Sequence, residues 1–168
     1  MIDSIMIDVY LVKFKSQDFD EYFQLVGDAR VMEMITERAI PIEEAQVDFE
    51  QLIDNNKLNE NFGNFKILTL SSNEFVGLAK LALHEEDQVE AELGYMILPY
   101  YWGKGIASQV ARQLIEHAKQ QQSLEKLVAI IDPKNIPSRK ILINHGFVSK
   151  EFKDFDGLPG EILELDLK

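Results

Sequence analysis

The stretch Tyr95-Met96-Ile97-Leu98-Pro99-Tyr100-Tyr101-Trp102-Gly103-Lys104-Gly105-Ile106-Ala107-Ser108 runs from an apolar strand pattern, through a glycine-spaced turn, into a helix. Pro99 ends the strand, because proline has no amide to give to a ladder. Gly103 and Gly105 let the backbone turn tightly and approach an anion, and the first free N–H groups of the following helix point at that anion. The helix itself is amphipathic, with Ile106, Ala107, Val110, Ala111, Leu114, Ile115 and Ala118 on one side. Strand, cradle and helix in this order predict a phosphate-binding turn inside an α/β domain.

Upstream of this stretch, Phe65 to Leu70, Phe75 to Leu83 and Val89 to Leu98 are strand-like runs separated by Ser71-Ser72-Asn73-Glu74 and Glu85-Glu86-Asp87-Gln88. Three strands joined by such short turns make an antiparallel meander. Before them, Ile5 to Phe14 predicts a strand and Phe19 to Gly27 a helix. Ile42 to Leu52 predicts a second helix, with acidic residues in its first turn and a polar loop, Asp54 to Asn64, after it. Downstream, the order changes to helix Gly105 to Gln121, buried strand Leu127 to Ile131, helix Ile136 to His145 closed by Gly146, and two terminal strands. The expectation is a single α/β domain over residues 1–168: a mixed sheet of six to seven strands, an antiparallel meander followed by βαβα, and four helices.

Composition narrows the function classes. A chain of 168 residues with 46% hydrophobic content can bury one sizeable core and has little length for a second. No apolar run approaches the roughly 20 residues that span a bilayer, and the start of the sequence carries no basic run, so a cytoplasmic protein is expected. With no cysteine, thiolate metal sites, disulfides and a cysteine nucleophile are ruled out together. A net charge of -12 argues against nucleic acid or an anionic membrane as partner and mildly favours a cationic substrate.

Two motifs in order carry a family resemblance. Trp102-Gly103-Lys104-Gly105-Ile106-Ala107 resembles the Gln/Arg-x-x-Gly-x-Gly/Ala pyrophosphate motif of the GNAT superfamily of acyl-CoA-dependent N-acetyltransferases. Asp132-Pro133-Lys134-Asn135-Ile136-Pro137-Ser138, leading to His145-Gly146-Phe147, resembles its second signature. The tryptophan in first position, and Ala91-Glu92-Leu93-Gly94-Tyr95, are similar to the branch that includes ribosomal-protein N-terminal acetyltransferases. The resemblance implies a sheet splayed at the fourth and fifth strands, with acetyl-CoA as cosubstrate and no metal. Pantetheine would lie along the backbone of Met96 and Ile97, an amide of Ile97 would polarise the thioester carbonyl, and the turn from Gly103 through Lys104, Gly105, Ile106 and Ala107 to Ser108 would hold the pyrophosphate. Asn135 would contact pantetheine, although a helix N-cap alone explains an asparagine before Ile136-Pro137.

The implied reaction moves an acetyl group directly to a primary amine. The amine must be neutral to attack, and reference pKa values are about 10.4 for lysine and about 7.7–8.0 for an α-amine, so a base helps. Strand alternation places Glu90, Glu92, Gly94 and Met96 on one face, where mutual repulsion between the two carboxylates would raise one pKa. By resemblance Glu92 is the base, against the alternative of a solvated strand carboxylate. The tyrosine that many relatives use to protonate the thiolate is replaced by Leu142, which leaves Ser138 as the candidate donor. His84, His117 and His145 show no metal-ligand spacing, and Tyr100, Tyr101 and Trp102 suit either an acceptor wall or core packing. The expected partners are an amine acceptor, small molecule or protein N-terminus, with a monomeric or homodimeric assembly. A noncatalytic acyl-CoA binding or sensing module on the same fold is the alternative, favoured by Leu142.

Overall fold

A computed structural model of the chain describes residues 7–85 and 88–168. Seven strands form one sheet: β1 (Val9–Lys13), β2 (Gly63–Thr69), β3 (Phe75–Ala82), β4 (Glu90–Ile97), β5 (Lys126–Ile131), β6 (Val148–Phe155) and β7 (Leu158–Asp166). The helices are α1 (Phe19–Val26), α2 (Ala29–Met32), α3 (Ile42–Asn56), α4 (Ile106–Lys119) and α5 (Ile136–Asn144). In the sheet order β1-β2-β3-β4-β5-β7-β6, only β4 and β5 pair in parallel. The expected meander and mixed sheet are therefore present.

Alternation sorts the strand residues to two faces. Leu78 and Met96 face α1, α2 and α3, where Phe14, Tyr22, Phe49 and Leu25 complete one apolar cluster. Ala79, Leu81, Ala91 and Leu93 face the opposite way and pack with Ile106, Val110 and Leu114 of α4 and Leu142 of α5. Each fully buried leucine or isoleucine in these clusters contributes about 1.5–3 kcal/mol relative to exposure. On the first face, the near-buried Lys66 ammonium lies 3.1 Å from Asp18 and 3.7 Å from Glu21, tying the start of α1 to β2.

The edge strand β1 is protected by side chains of α4. Gln109 Oε1 accepts the Val9 amide at 2.9 Å, and the Gln113 side-chain amide donates to the Val9 carbonyl at 3.1 Å. These bonds occupy backbone groups that an open edge would offer to another chain.

Three local differences separate the structure from the sequence expectations. A fifth helix, α2, spans only four residues, too short to leave a helical period; the Asp28 carboxylate caps it by accepting the Arg30 amide at 2.8 Å. α3 continues to Asn56 and β2 begins at Gly63, so the polar loop is shorter than Asp54 to Asn64. The helix end is extended by tertiary bonds: Asn55 donates to the Leu83 carbonyl, and Asn56 accepts the Asn64 amide at 2.7 Å. β1 starts at Val9, with Ile7 and Asp8 outside the strand; the expected start at Ile5, with Met6, lies outside the described residues, as do Glu86 and Asp87 of the second turn. The two terminal strands form a hairpin through Asp156 and Gly157, both at positive φ, and β7 inserts between β5 and β6.

Candidate active site

β4 and β5 separate part-way along their length. Their ladder consists of Glu90↔Lys126, Ala91↔Leu127 and Glu92↔Val128, yet β4 stays paired with β3 through Ile97 and β5 stays paired with β7 through Ile131. From Leu93 onward one side of β4 has no strand partner among the described residues. The Leu98 amide donates to Val76 on β3 at 2.8 Å, so by strand alternation Met96 also directs its backbone to β3, and Tyr95 and Ile97 direct theirs into the gap. This corrects the expected pairing of Met96 and Ile97: Met96 meets the site through its side chain. The Ile97 carbonyl is taken by the Trp102 indole N–H at 2.7 Å, which fixes the strand end and leaves the Ile97 amide as the donor facing the gap.

A cavity of about 990 Å³ opens through this gap and reaches both faces of the sheet. Gly103, Gly105, Ile106, Ala107 and Ser108 line one end. Gly103 (φ 74°) and Gly105 (φ 77°) both occupy the left-handed region that glycine reaches at little cost. Gly105 is the N-cap of α4 and offers no side chain, so no cap bond competes for the first amides of the helix. Lys104 does not line the cavity; its ammonium sits 5.8 Å from the centre of the exposed Tyr100 ring.

α5 brings Asn135 and Ser138 to the same cavity. Asn135 caps the helix by accepting the Ser138 amide at 3.3 Å, and its Nδ2 has no protein partner among the described residues. Capping and ligand contact therefore use different atoms. Ser138 Oγ lies 2.8 Å from the hydroxyl of Tyr95, which reaches across from β4. Burial pushes the Tyr95 phenol above its usual range, and the bond to Ser138 pulls it back in part. Leu142, one turn further along α5, is buried in the core. The next residue after Ser138, Arg139, anchors the helix by donating from Nε to both oxygens of the fully buried Glu161, at 3.0 and 3.1 Å.

On the face toward α1–α3, Glu92 lines the cavity beside Lys80, whose ammonium is 3.4 Å away, and His84, whose Nε2 is 3.3 Å away. Glu90 instead faces Lys126 at 3.5 Å. Each carboxylate has its own cation, so mutual repulsion is not the force that sets the environment of Glu92. Of the aromatic run, Tyr100 is exposed, Tyr101 packs partly on the core and donates to Glu74 at 2.9 Å, and Trp102 lines the cavity.

His117 binds the Asn61 carbonyl and His145 the Ile141 carbonyl through ring nitrogens. Among the described residues, no group of three or more His, Asp or Glu side chains is placed to hold a metal ion, and no helix is long and apolar enough to cross a membrane.

Tyr95 and Lys80 are the site residues that sequence reasoning missed; Trp102, expected as an acceptor wall or core packing, lines the cavity. The alternation that put Glu92 and Met96 on one face of β4 also put Tyr95 on the other, toward α5, so its role had a signal. The bond from Trp102 to the Ile97 carbonyl and the approach of Lys80 to Glu92 are contacts visible only in three dimensions.

An open ladder after the third paired residue, a glycine cradle at the start of the next helix, and a second helix closing the cavity are the features that a family comparison can test. The acetyltransferase (GNAT) domain family matches residues 8–148. The chain belongs to this family of acetyltransferases. Among curated relatives, the uncharacterized N-acetyltransferase p20 of Bacillus licheniformis is 24% identical over 156 residues, covering 92% of this chain and 88% of that protein. Among solved structures, a GNAT-family acetyltransferase from Bacillus anthracis superposes with a TM-score of 0.76 at 19% identity, covering 97% of this chain and 99% of that one. Spermidine N-acetyltransferase from Vibrio cholerae, solved with CoA and spermine, superposes with a TM-score of 0.78 at 16% identity over 95% of each chain. At these identities the structural likeness concerns the fold.

Proposed function

We propose that this GNAT acetyltransferase moves an acetyl group from acetyl-CoA directly to a primary amine, within the branch that includes ribosomal-protein N-terminal acetyltransferases. The observation that carries the reading is the gap between β4 and β5, which presents the backbone of Tyr95 and the amide of Ile97 next to the Gly103–Ser108 cradle. A pantetheine arm has two amides and can fill such an opened ladder as a strand would. The cradle's amides suit a pyrophosphate. The tryptophan at position 102 and the Ala91–Tyr95 run support the branch.

In the transfer, the amine nitrogen forms a bond to the thioester carbon as the carbon–sulfur bond breaks; nitrogen loses one proton and sulfur gains one. The Ile97 amide faces the place where charge develops on the carbonyl oxygen. Glu92 faces the acceptor side and receives the nitrogen's proton, with the exposed His84 beside it as an exit to solvent. Ser138, supported by Tyr95, lies on the donor side and supplies a proton to sulfur. That hydroxyl pair weakens the noncatalytic reading suggested by Leu142.

The test is release of free thiol from acetyl-CoA with a panel of amines, run on the native protein and on Glu92→Gln. Removing a positioned base typically costs about 10²–10⁴ in turnover, and CoA affinity should stay within about twofold because Glu92 lies across the sheet from the cradle. Thiol release that is unchanged in Glu92→Gln removes this residue from the mechanism. CoA binding without thiol release from any amine would establish the noncatalytic module instead.

A further inference from the structure

The cavity also carries information about the acceptor, whose class composition left open. Its half on the α1–α3 face is bounded by Val31 and Met34 from α2 and the segment after it, by Ile35 at the rim, by Leu52 of α3, and by Leu78 and Met96 of the sheet. The segment Arg30 to Ile40 has no motif, but its fold supplies this wall. The Thr36 and Glu37 amides both donate to the Met32 carbonyl at 3.0 Å, and Glu37 at φ 64° turns the chain back, leaving Ile35 at the cavity mouth with 43% exposure.

The charged groups on this half are Arg30, Glu33, Lys80 and Glu92. These four lining charges cancel, and the Asp28 carboxylate paired with Arg30 adds one negative charge behind the wall, against the net charge of -12 carried by the whole chain. Arg30 is engaged with Asp28 through Nε at 3.2 Å and Nη2 at 2.8 Å. Glu92, the carboxylate deepest in the site, already has Lys80 and His84 beside it. A polycation entering here would meet the Lys80 ammonium next to the reacting centre, and among the described residues that line this half only Glu33, at the rim, offers a further carboxylate. A buried ammonium without a partner is strongly penalised, whereas an apolar body gains from the wall it touches.

We infer that the acceptor is an amine with one positive charge carried on a compact apolar body, and that polyamines and aminoglycosides are poor acceptors. This inference rests on the acetyl-transfer reading above. The same chemistry occurs in a free arylalkyl or aliphatic amine and in a peptide whose first residue is apolar. Among the described lining residues, the acidic exterior of the protein does not extend into the acceptor half of the cavity.

The experiment measures kcat/KM by thiol release for 2-phenylethylamine, leucinamide, a short peptide with an N-terminal leucine, spermidine and kanamycin. The expected result is at least a tenfold advantage of one or more of the apolar monoamines over both spermidine and kanamycin. A peptide advantage over leucinamide identifies the protein N-terminus as the source, and the reverse identifies a small molecule; either supports the inference. Ile35→Glu, at an exposed position that leaves the core intact, should raise KM for the apolar acceptors at least fivefold while KM for acetyl-CoA stays constant. Spermidine or kanamycin turned over as well as the monoamines, or an Ile35→Glu protein with unchanged KM, overturns the acceptor class and leaves acetyl transfer standing. No thiol release with any of the amines, in a protein that still binds CoA, overturns both.

Discussion

Tyr95 and Ser138 come from different elements and bring two hydroxyls within 2.8 Å, one helical turn before Leu142, where the family resemblance implies a proton-donating tyrosine. A serine hydroxyl alone is a weak acid, but one held by a phenol has a fixed direction and a neighbour from which its proton can be replaced. Because a thiolate leaves readily and also takes protons from water, the pair is expected to contribute only about tenfold, below the usual range for general acids. Tyr95→Phe and Ser138→Ala should each lower kcat by about tenfold with KM for acetyl-CoA unchanged, and the double variant should be no slower than the worse single one, because the two act as a unit. Multiplying losses in the double variant would show two independent roles, and unaltered kcat in both singles would leave proton delivery to water.

At the level of elements, the site depends on how closely β3 holds β4. A Cβ built on Gly77 would lie 2.1 Å from the Met96 carbonyl oxygen and 3.1 Å from the Ile97 Cα, so these strands approach at a distance only glycine permits. Gly77→Ala must push β4 toward the gap, moving the Tyr95 and Ile97 backbone that faces it. The expected outcome is a loss of about 1–3 kcal/mol in denaturant unfolding, the usual range for overpacking, together with a rise in KM for acetyl-CoA. A variant of native stability and native KM would show that the strands can separate without consequence for the site. Much of this element-level design was legible from residues: Pro99, Gly103, Gly105 and the α4 pattern located the cradle, and period-two alternation placed Glu92. The opening of the β4–β5 ladder came from the family resemblance, because no residue in Leu93–Ile97 or Ala129–Ile131 encodes the loss of a partner. α2 escaped notice because four residues hold barely one turn, and the register of Gly77 against Ile97 is a pairing that only the folded sheet reveals.

Across the whole molecule, charge and core follow different rules. The acidic residues that give the chain its net charge of -12 lie mostly outside the acceptor half of the cavity, so a property read correctly from composition does not transfer to the site. The core under α1–α3 is unusually aromatic, with Phe14, Phe19, Tyr22 and Phe49 at ring separations of 5.2–6.4 Å. Tyr22 sits within this group, and burial, with a smaller contribution from Asp48, pushes its phenol up to about 12. The unfolded chain, with an ordinary phenol near 10, gives up this proton first as pH rises. Over that interval the native state binds more protons than the unfolded one, so stability falls with increasing pH. The stabilisation is complete below about pH 10 and is lost as pH rises toward 12, with a total of about 2 kcal/mol for this group. Urea unfolding at pH 9 and pH 11 should show the decline, and Tyr22→Phe, which keeps the ring and removes the titration, should flatten it by about 1 kcal/mol, the part of the total that falls within this interval. An equally steep decline in Tyr22→Phe would assign the alkaline sensitivity to other groups and leave the Tyr22 phenol with no part in it.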